Sequence, residues 1–230
     1  MVTDNIIRFQ KQIIQYIDKS LYLLFGKRLF DVIIAFLALL VLSLPISVIA
    51  LAIWITSGRP IFFLQARVGK NGKIFSIKKF RTMVVRSVED SAITVAGDSR
   101  VTPIGVYLRR WKLDELPQFW NVLVGEMSLI GPRPDVPGYA DKLQGDDSRL
   151  LSLRPGITGP ATLIYNKEEE IMARIDDPIE YNKKVIFPDK VRINLEYLET
   201  YSFSKDLHYI WDTVKTILVK DSPYIESKHR

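Results

Sequence analysis

Two adjacent carboxylates, Asp114 and Glu115, stand among arginines in the segment LDELPQFWNVLVGEMSLIGPRP, which covers residues 113–134. Arg109 and Arg110 precede the pair, and Arg133 follows it inside a Gly-Pro-Arg-Pro turn. Carboxylates can attack phosphorus or hold a metal ion, while a guanidinium group offers a planar fork of donors to phosphate oxygens. These residue types together point to chemistry on a charged phosphate substrate.

Other basic residues are candidates for the same substrate, and each has a plainer interpretation. Lys79 and Arg81 belong to a basic segment, and Arg154 opens the motif RPGITG. We expect these three side chains to bind phosphate, although a solvated face, lipid contacts or a surface turn would also explain them. For the acidic pair, the plainer role is that Asp114 caps the helix predicted to follow and Glu115 is a first-turn acid.

Composition excludes several kinds of site. The chain of 230 residues contains no cysteine and two histidines, so thiolate catalysis and cysteine or polyhistidine metal sites are excluded. Any metal would need oxygen ligands, which favours Mg²⁺ or Mn²⁺. A net charge of +6 favours an acidic partner. There is no P-loop, so P-loop chemistry is unsupported. No recognised nucleic-acid module occurs either, so a basic nucleic-acid binder is a remote alternative and we expect no nucleic-acid partner.

A membrane element is predicted by the uncharged run from Val32 to Ile55. As a straight helix it would be about 36 Å long, enough to cross a hydrocarbon core. Pro45 at its centre predicts a kink or break, where Ser43 can bond freed backbone groups. Basic residues flank both ends. Both a straight span and a broken helix that returns to the same leaflet satisfy this pattern. A fully buried core helix of a soluble protein is a third alternative, although the uncharged run is long for one.

The remaining elements predict a mostly helical α+β protein. Residues 4–25 have the spacing of an amphipathic helix, which suits a membrane surface or a partner helix. Asn71-Gly72 predicts a small β-hairpin, and Thr102-Pro103 predicts a helix start. An amphipathic stripe from Leu207 to Leu218 would serve a homodimer or the membrane surface. We divide the chain into an N-terminal helix (1–26), a membrane helix (27–58), a catalytic domain (59–222) and a polar tail (223–230).

Several ordered motifs resemble those of the bacterial sugar transferases, the small monotopic polyprenyl-phosphate hexose-1-phosphate transferases. The resemblance covers residues 26–220 and includes the acidic segment described above. The other motifs are KRLFD (27–31), QARVG (65–69), KFRTM (79–83) and RPGITG (154–159). No single motif is specific for this family, but the five motifs in this order are.

The resemblance implies a function and assigns roles. Such enzymes move a sugar-1-phosphate from a UDP-sugar to undecaprenyl phosphate and release UMP, in the first membrane step of a cell-surface glycan pathway. By resemblance, Asp114 is the nucleophile that forms a covalent phospho-sugar intermediate, Glu115 helps to bind Mg²⁺, and Arg109 and Arg133 match family arginines. The membrane helix would be re-entrant at Pro45, with the catalytic domain on the cytoplasmic face of the bacterial inner membrane.

Two positions depart from the family pattern. The break has Leu44-Pro45 where the family often has Ser-Pro, and Asn194 stands where the family tends to have aspartate. Two rival hypotheses remain open. One is direct transfer in a ternary complex, with both carboxylates on Mg²⁺, and the other is a non-catalytic membrane scaffold with the same fold.

Overall fold

A computed structural model of the chain describes residues 22–84 and 98–219. It is mostly helical with short strands, so the predicted α+β class is confirmed. The amphipathic helix predicted over residues 4–25 lies almost wholly outside the described residues. In chain order the elements are α1 (Lys27–Val41), α2 (Ser43–Ser57), β1 (Phe62–Val68), β2 (Ile74–Phe80), α3 (Pro103–Arg110), α4 (Gln118–Val124), β3 (Ser128–Ile130), β4 (Gly156–Thr158), α5 (Pro160–Ile164), α6 (Glu168–Met172), α7 (Pro178–Tyr181), α8 (Phe187–Thr200) and α9 (Phe203–Leu218).

The uncharged run forms two helices, α1 and α2, which meet at Leu42 with a bend of 60°. Pro45 lies in the first turn of α2, where a missing backbone N–H is tolerated. The hydroxyl of Ser43 donates to the carbonyl of Leu40 across the bend, at 2.8 Å. Within the described ranges no single helix is long and apolar enough to cross a bilayer, and only this bent pair, taken together, has the required length and composition.

Both helices of the bent pair also contribute to the interior. Ala35 of α1 lies in the main core with Ile77 and Val122, and it has no exposed surface. Ile53 of α2, also fully buried, packs with Phe80 in a second, smaller core. The outward sides are exposed and apolar, with Leu29, Ile33, Phe36, Leu37, Leu40, Leu44, Val48, Leu51 and Ile55. The pair is therefore apolar on its buried and its exposed sides.

The predicted hairpin is confirmed. Strands β1 and β2 are antiparallel, with a register from Phe62 opposite Phe80 to Val68 opposite Ile74. Asn71 and Gly72 take the left-handed backbone conformation, with φ of 56° and 73°, as tight turns require. The hairpin holds Lys79 on the strand that faces the acidic pair.

A second strand pair was not predicted. Strands β3 and β4 are parallel, with Ser128 opposite Gly156. Next to them Gly131 passes so close to the neighbouring backbone that an added Cβ would lie 2.3 Å from the carbonyl oxygen of Arg154. Only glycine fits there, and this close approach fixes the start of the loop that carries Arg133.

The last helix, α9, is joined to the start of α1 through a buried acid. Asp206 has no exposed surface and accepts hydrogen bonds of 2.6 Å from the hydroxyls of Tyr22 and Tyr197 and from Nζ of Lys27. A buried carboxylate with this many donors is well satisfied. This network ties α8 and α9 to the beginning of the bent pair.

Candidate functional site

The acidic pair lies in a tight 3₁₀ turn, Leu113–Glu115, between α3 and α4. Helix α3 begins as predicted, because the Thr102 hydroxyl accepts a hydrogen bond from the Gly105 N–H at 3.0 Å. After α3, Lys112 takes a left-handed conformation and redirects the chain. The prediction that Asp114 caps the next helix is wrong: α4 begins after Pro117 and has no side-chain cap.

Two leucines anchor the turn. Leu113 and Leu116, on either side of the acids, pack against the small core formed by Ile53 and Phe80. Since Ile53 belongs to α2, the bent pair itself supports the turn. The acids are thereby held at 8% exposure each, in a place where charge needs a partner.

Glu115 has such partners. Its Oε1 accepts hydrogen bonds from Nζ of Lys79 at 2.8 Å and from the guanidinium of Arg133 at 2.7 Å. Burial alone would raise the pKa of Glu115, but the charges of Arg133 and Lys79 outweigh it and hold the pKa well below its ordinary value. Arg133 and Lys79 therefore stabilise the ionised form of Glu115.

Asp114 differs from its neighbour. Its Oδ1 is buried and has no hydrogen-bond partner. Burial, and then the negative charge of Glu115, raise the pKa of Asp114, and the charges of Lys79 and Lys112 only partly oppose this. An unsatisfied buried carboxylate oxygen is unusual in a folded protein and is typical of a reactive or ligand-binding group.

A residue that the sequence reasoning missed positions Lys79. Asn121 of α4 is fully buried, and its amide donates to the carbonyl of Ser76 at 2.9 Å and accepts from the N–H of Lys78 at 3.0 Å. These two bonds join α4 to β2 one residue before Lys79. They fix the point from which the lysine reaches Glu115.

Arg67 of β1, also missed as a site residue, supports the loop of Arg133. Its guanidinium donates to the carbonyl of Pro134 at 2.9 Å, and the N–H of Val68 donates to the carbonyl of Asp135 at the same distance. Burial raises the pKa of the Asp135 carboxyl to about 6. The hairpin thus holds both cations that contact Glu115, one on its own strand and one through this loop.

A cavity of about 810 Å³ opens beside the turn. The predicted residues Arg109, Arg110, Glu115 and Arg133 line it together with Lys112. The two arginines of α3 lie in its last turn, where the helix dipole favours positive charge. Arg109 also pairs with Glu169 of α6. This end of the cavity is suited to a polyanion.

Three predicted phosphate-binding residues, Lys79, Arg81 and Arg154, are not among the residues that line the cavity. Lys79 contacts Glu115, which does line it, and the other two lie at helix ends. Arg81 is buried and donates to the carbonyls of Ser57 and Gly58 at the end of α2. Arg154 donates to the carbonyl of Gly125 at the end of α4, at 3.0 Å. Carbonyls at helix ends lack partners within the helix, so both arginines serve to complete helix ends.

Asn194 of α8 lies in the cavity wall. It is 4% exposed, and its Oδ1 has no hydrogen-bond partner. The hydroxyl of Thr162, on α5 in the same wall, is buried and unpartnered as well. The Asn194 amide is thus part of the cavity wall, and its oxygen has hydrogen-bonding capacity left over.

The acids can be tested as ligands for a metal ion. Among the described residues, no three or more His, Cys, Asp or Glu side chains surround a common point as a metal site would require. Mg²⁺, however, is commonly held by one or two carboxylates together with substrate phosphates. The unsatisfied oxygen of Asp114 and the ionised Glu115 fit a metal that binds together with its substrate.

Comparison with known proteins gives one family. A family model described as bacterial sugar transferase matches residues 22–220. The UDP-glucose:undecaprenyl-phosphate glucose-1-phosphate transferase of Klebsiella pneumoniae is 37% identical over 204 residues, which are 86% of this chain and 41% of that protein.

Two further relatives differ in the sugar that their names contain. The UDP-N-acetylgalactosamine-undecaprenyl-phosphate N-acetylgalactosaminephosphotransferase of Aeromonas hydrophila is 34% identical, over 84% of this chain and 44% of its own length. The UDP-galactose-lipid carrier transferase of Erwinia amylovora is 32% identical, over 87% of this chain and 42% of its own length. The chain spans about two-fifths of the length of these relatives.

Proposed function

The chain belongs to the bacterial sugar transferase family, and from this premise we propose that it transfers a sugar-1-phosphate from a UDP-sugar to undecaprenyl phosphate, releasing UMP. The observation that carries the proposal is the contrast within the acidic pair. Asp114 has an oxygen without a partner, whereas Glu115 is neutralised by two cations. One acid is free to react, and its neighbour is held as a fixed charge.

The transfer has two steps. An oxygen of the Asp114 carboxylate attacks the phosphorus that carries the sugar, the bond between that phosphorus and the bridging oxygen breaks, and UMP leaves with that oxygen. A phosphate oxygen of the lipid then attacks the same phosphorus, and the Asp114 carboxylate departs. Since a phosphate monoester is largely ionised at neutral pH, the second step needs no general base. The product is a lipid diphosphate sugar.

Cations must offset the repulsion between a carboxylate and a diphosphate. Arg109, Arg110 and Lys112 line the cavity beside the pair and can bind the phosphate oxygens. Lys79 and Arg133 prevent the charge of Glu115 from adding to the repulsion. Mg²⁺, held by Glu115 and the substrate diphosphate, would supply further charge neutralisation when bound.

Trapping the intermediate tests the mechanism. The full chain in nanodiscs is incubated with UDP-[¹⁴C]glucose, UDP-[¹⁴C]galactose or UDP-N-acetyl[¹⁴C]galactosamine without lipid acceptor, and protein-bound label is counted. We expect label that undecaprenyl phosphate removes. Asp114→Asn should lose both label and turnover, while Asp147→Asn, at an exposed aspartate, should keep both.

Two results would contradict the proposal in different ways. Turnover that needs both substrates together, with no label on the protein, would indicate direct transfer in a ternary complex. No UMP release with any of the UDP-sugars would favour a non-catalytic scaffold.

We also propose that the bent pair is re-entrant, so that both of its ends face the cytoplasm. Support comes from the basic residues on both sides and from the bend of 60° at its centre. Because the chain has no cysteine, single cysteines at Thr3 and Lys70 can report their side of the membrane. Both should react with an impermeant maleimide only in inside-out vesicles, and a straight span would expose Thr3 on the other side.

A further inference from the structure

The cavity beside the acidic pair has a second end with a different character. Helices α1 and α9 touch where the rings of Phe30 and Phe203 meet edge to face, with centroids 5.4 Å apart. Beyond this contact both helices contribute to the cavity wall, α1 through Ile34 and α9 through Ile210 and Val214. The two helices thus form the sides of a cleft whose floor includes Ile157 of β4.

The polar groups nearest to Ile210 and Val214 on the cleft wall are already engaged within the protein. The hydroxyls of Thr158 and Thr213, which both line it, lie 2.8 Å apart and bond each other, and Thr213 also donates to the carbonyl of Tyr209. The hydroxyl hydrogens of both threonines are therefore already donated within the protein. A sugar or a nucleobase would lose its hydrogen bonds to water in such a place without replacing them.

The apolar lining continues outward. Val214 is 44% exposed, and next to Ile34 the side chains of Ile33 and Leu37 are half-exposed. One cavity is therefore lined both by apolar side chains that adjoin an exposed apolar surface and by the arginines and Lys112. A ligand that satisfies both ends is an anion attached to a long hydrocarbon chain.

We infer that the cleft between α1 and α9 binds the prenyl chain of the lipid acceptor, with the phosphate of that lipid among Arg109, Arg110 and Arg133. This inference rests on the proposed function and adds the place and the orientation of the second substrate. The hydrocarbon chain lies along Ile34, Ile210 and Val214.

Helix α9 provides a matched pair of variants. Val214→Gln places an amide in the cleft, whereas Leu207→Gln makes a similar change at 43% exposure on the same helix, outside the cavity wall. In nanodiscs we expect Val214→Gln to raise the KM for undecaprenyl phosphate about fivefold. The KM for UDP-sugar should be unchanged in both variants, and Leu207→Gln should leave both values at the wild-type level. Equal effects of the two variants on acceptor KM, or no effect of either, would overturn the inference.

A binding experiment keeps the inference testable without turnover. A farnesyl phosphate that carries a diazirine on its chain is irradiated with the full protein, and the labelled peptides are mapped by mass spectrometry. We expect label on α1 and α9 around Ile34 and Ile210, and we expect Val214→Trp, which fills the cleft, to remove it while Leu207→Trp does not. Label spread over the exposed apolar surface would contradict the inference, whereas absent UMP release would contradict only the proposed function.

Discussion

Nζ of Lys79 lies 2.8 Å from Oε1 of Glu115, although the two residues are 36 positions apart in the chain. Arg133 donates to the same oxygen, so two cations fix one acid as an anion in a buried place. Asp114, one residue earlier, receives no such bond on Oδ1 and has the raised pKa. The sequence Asp-Glu thus contains two acids with opposite electrostatic surroundings.

Removing the lysine should impair the site more than it impairs the fold. Lys79→Met leaves Glu115 with Arg133 as its remaining hydrogen-bonded cation and returns unneutralised negative charge beside the diphosphate. A lost charged hydrogen bond costs about 1.5–3 kcal/mol, so we expect kcat/KM for UDP-sugar to fall about 10- to 100-fold. Lys78→Met, one position earlier on β2, is the control and should remain within about twofold of wild type. A similar loss in both variants would show that the strand, not the ion pair, had been damaged.

Asn121 should be essential for stability, because its side chain bridges α4 and β2. Asn121→Leu removes two hydrogen bonds with β2, from its amide to the carbonyl of Ser76 and from the N–H of Lys78, and we expect it to lower the free energy of unfolding by about 1–3 kcal/mol. Gln118→Met on the same helix is the comparison. Gln118 is equally buried, but its Nε2 has no partner, so this change should cost less than about 1 kcal/mol. Denaturant unfolding in detergent measures the free energy of unfolding of both variants. Equal decreases in the two would show that the bonds of Asn121 to β2 are not what stabilises the fold.

Asp135 should make stability depend on pH. Its folded-state pKa is about 6 against an ordinary 3.8, chiefly because burial disfavours the charged form. The folded state therefore binds the proton more tightly than the unfolded state, and stability is lost as pH rises from 3.8 through about 6.

Asp135→Asn removes that loss. We expect the variant to be more stable than wild type at about pH 8 by roughly 1–3 kcal/mol, and the difference to vanish near pH 3.5. Denaturant unfolding at the two pH values provides the measurement, with Asp147→Asn as the exposed control. A difference that is the same at both pH values would show that the effect is not titration of Asp135.

Asn194 should affect substrate binding rather than stability. Its buried Oδ1 already lacks a partner, so Asn194→Leu removes no hydrogen bond made by that oxygen, and we expect stability to change by less than about 1 kcal/mol. If a substrate hydroxyl donates to this oxygen, the KM for UDP-sugar should rise about 3- to 10-fold. Initial rates measured over a range of UDP-sugar concentrations give this KM. An unchanged KM would show that Asn194 does not contribute to the binding of the UDP-sugar.

Local rules in the sequence predicted local structure well. Asn71-Gly72 encodes a turn, and Thr102 followed by proline encodes a helix start, because the physical causes lie within a few residues. The parallel pairing of β3 with β4 was missed because three-residue strands carry no readable periodicity. Asn121 was missed because its backbone partners are 43 and 45 positions away.

The arginines show why candidate site residues are harder to predict than elements. Arg133 and Arg154 both lie beside prolines in turn-like motifs and looked equivalent in the sequence. The structure directs Arg133 to a carboxylate in the cavity and Arg154 to a helix-end carbonyl. A guanidinium group suits either partner, and only the packing of distant segments decides which one it meets.

Ile53 of α2 has no exposed surface, and it packs against Phe80 and Leu108 beside the two leucines that flank the acidic pair. A helix with the apolar composition of a membrane element thus forms part of the packing that supports Asp114 and Glu115. Deleting α2 to obtain a more soluble protein would also remove the packing of Ile53 against Phe80 and Leu108. We therefore expect a truncation that removes α2 to disturb the acidic pair as well.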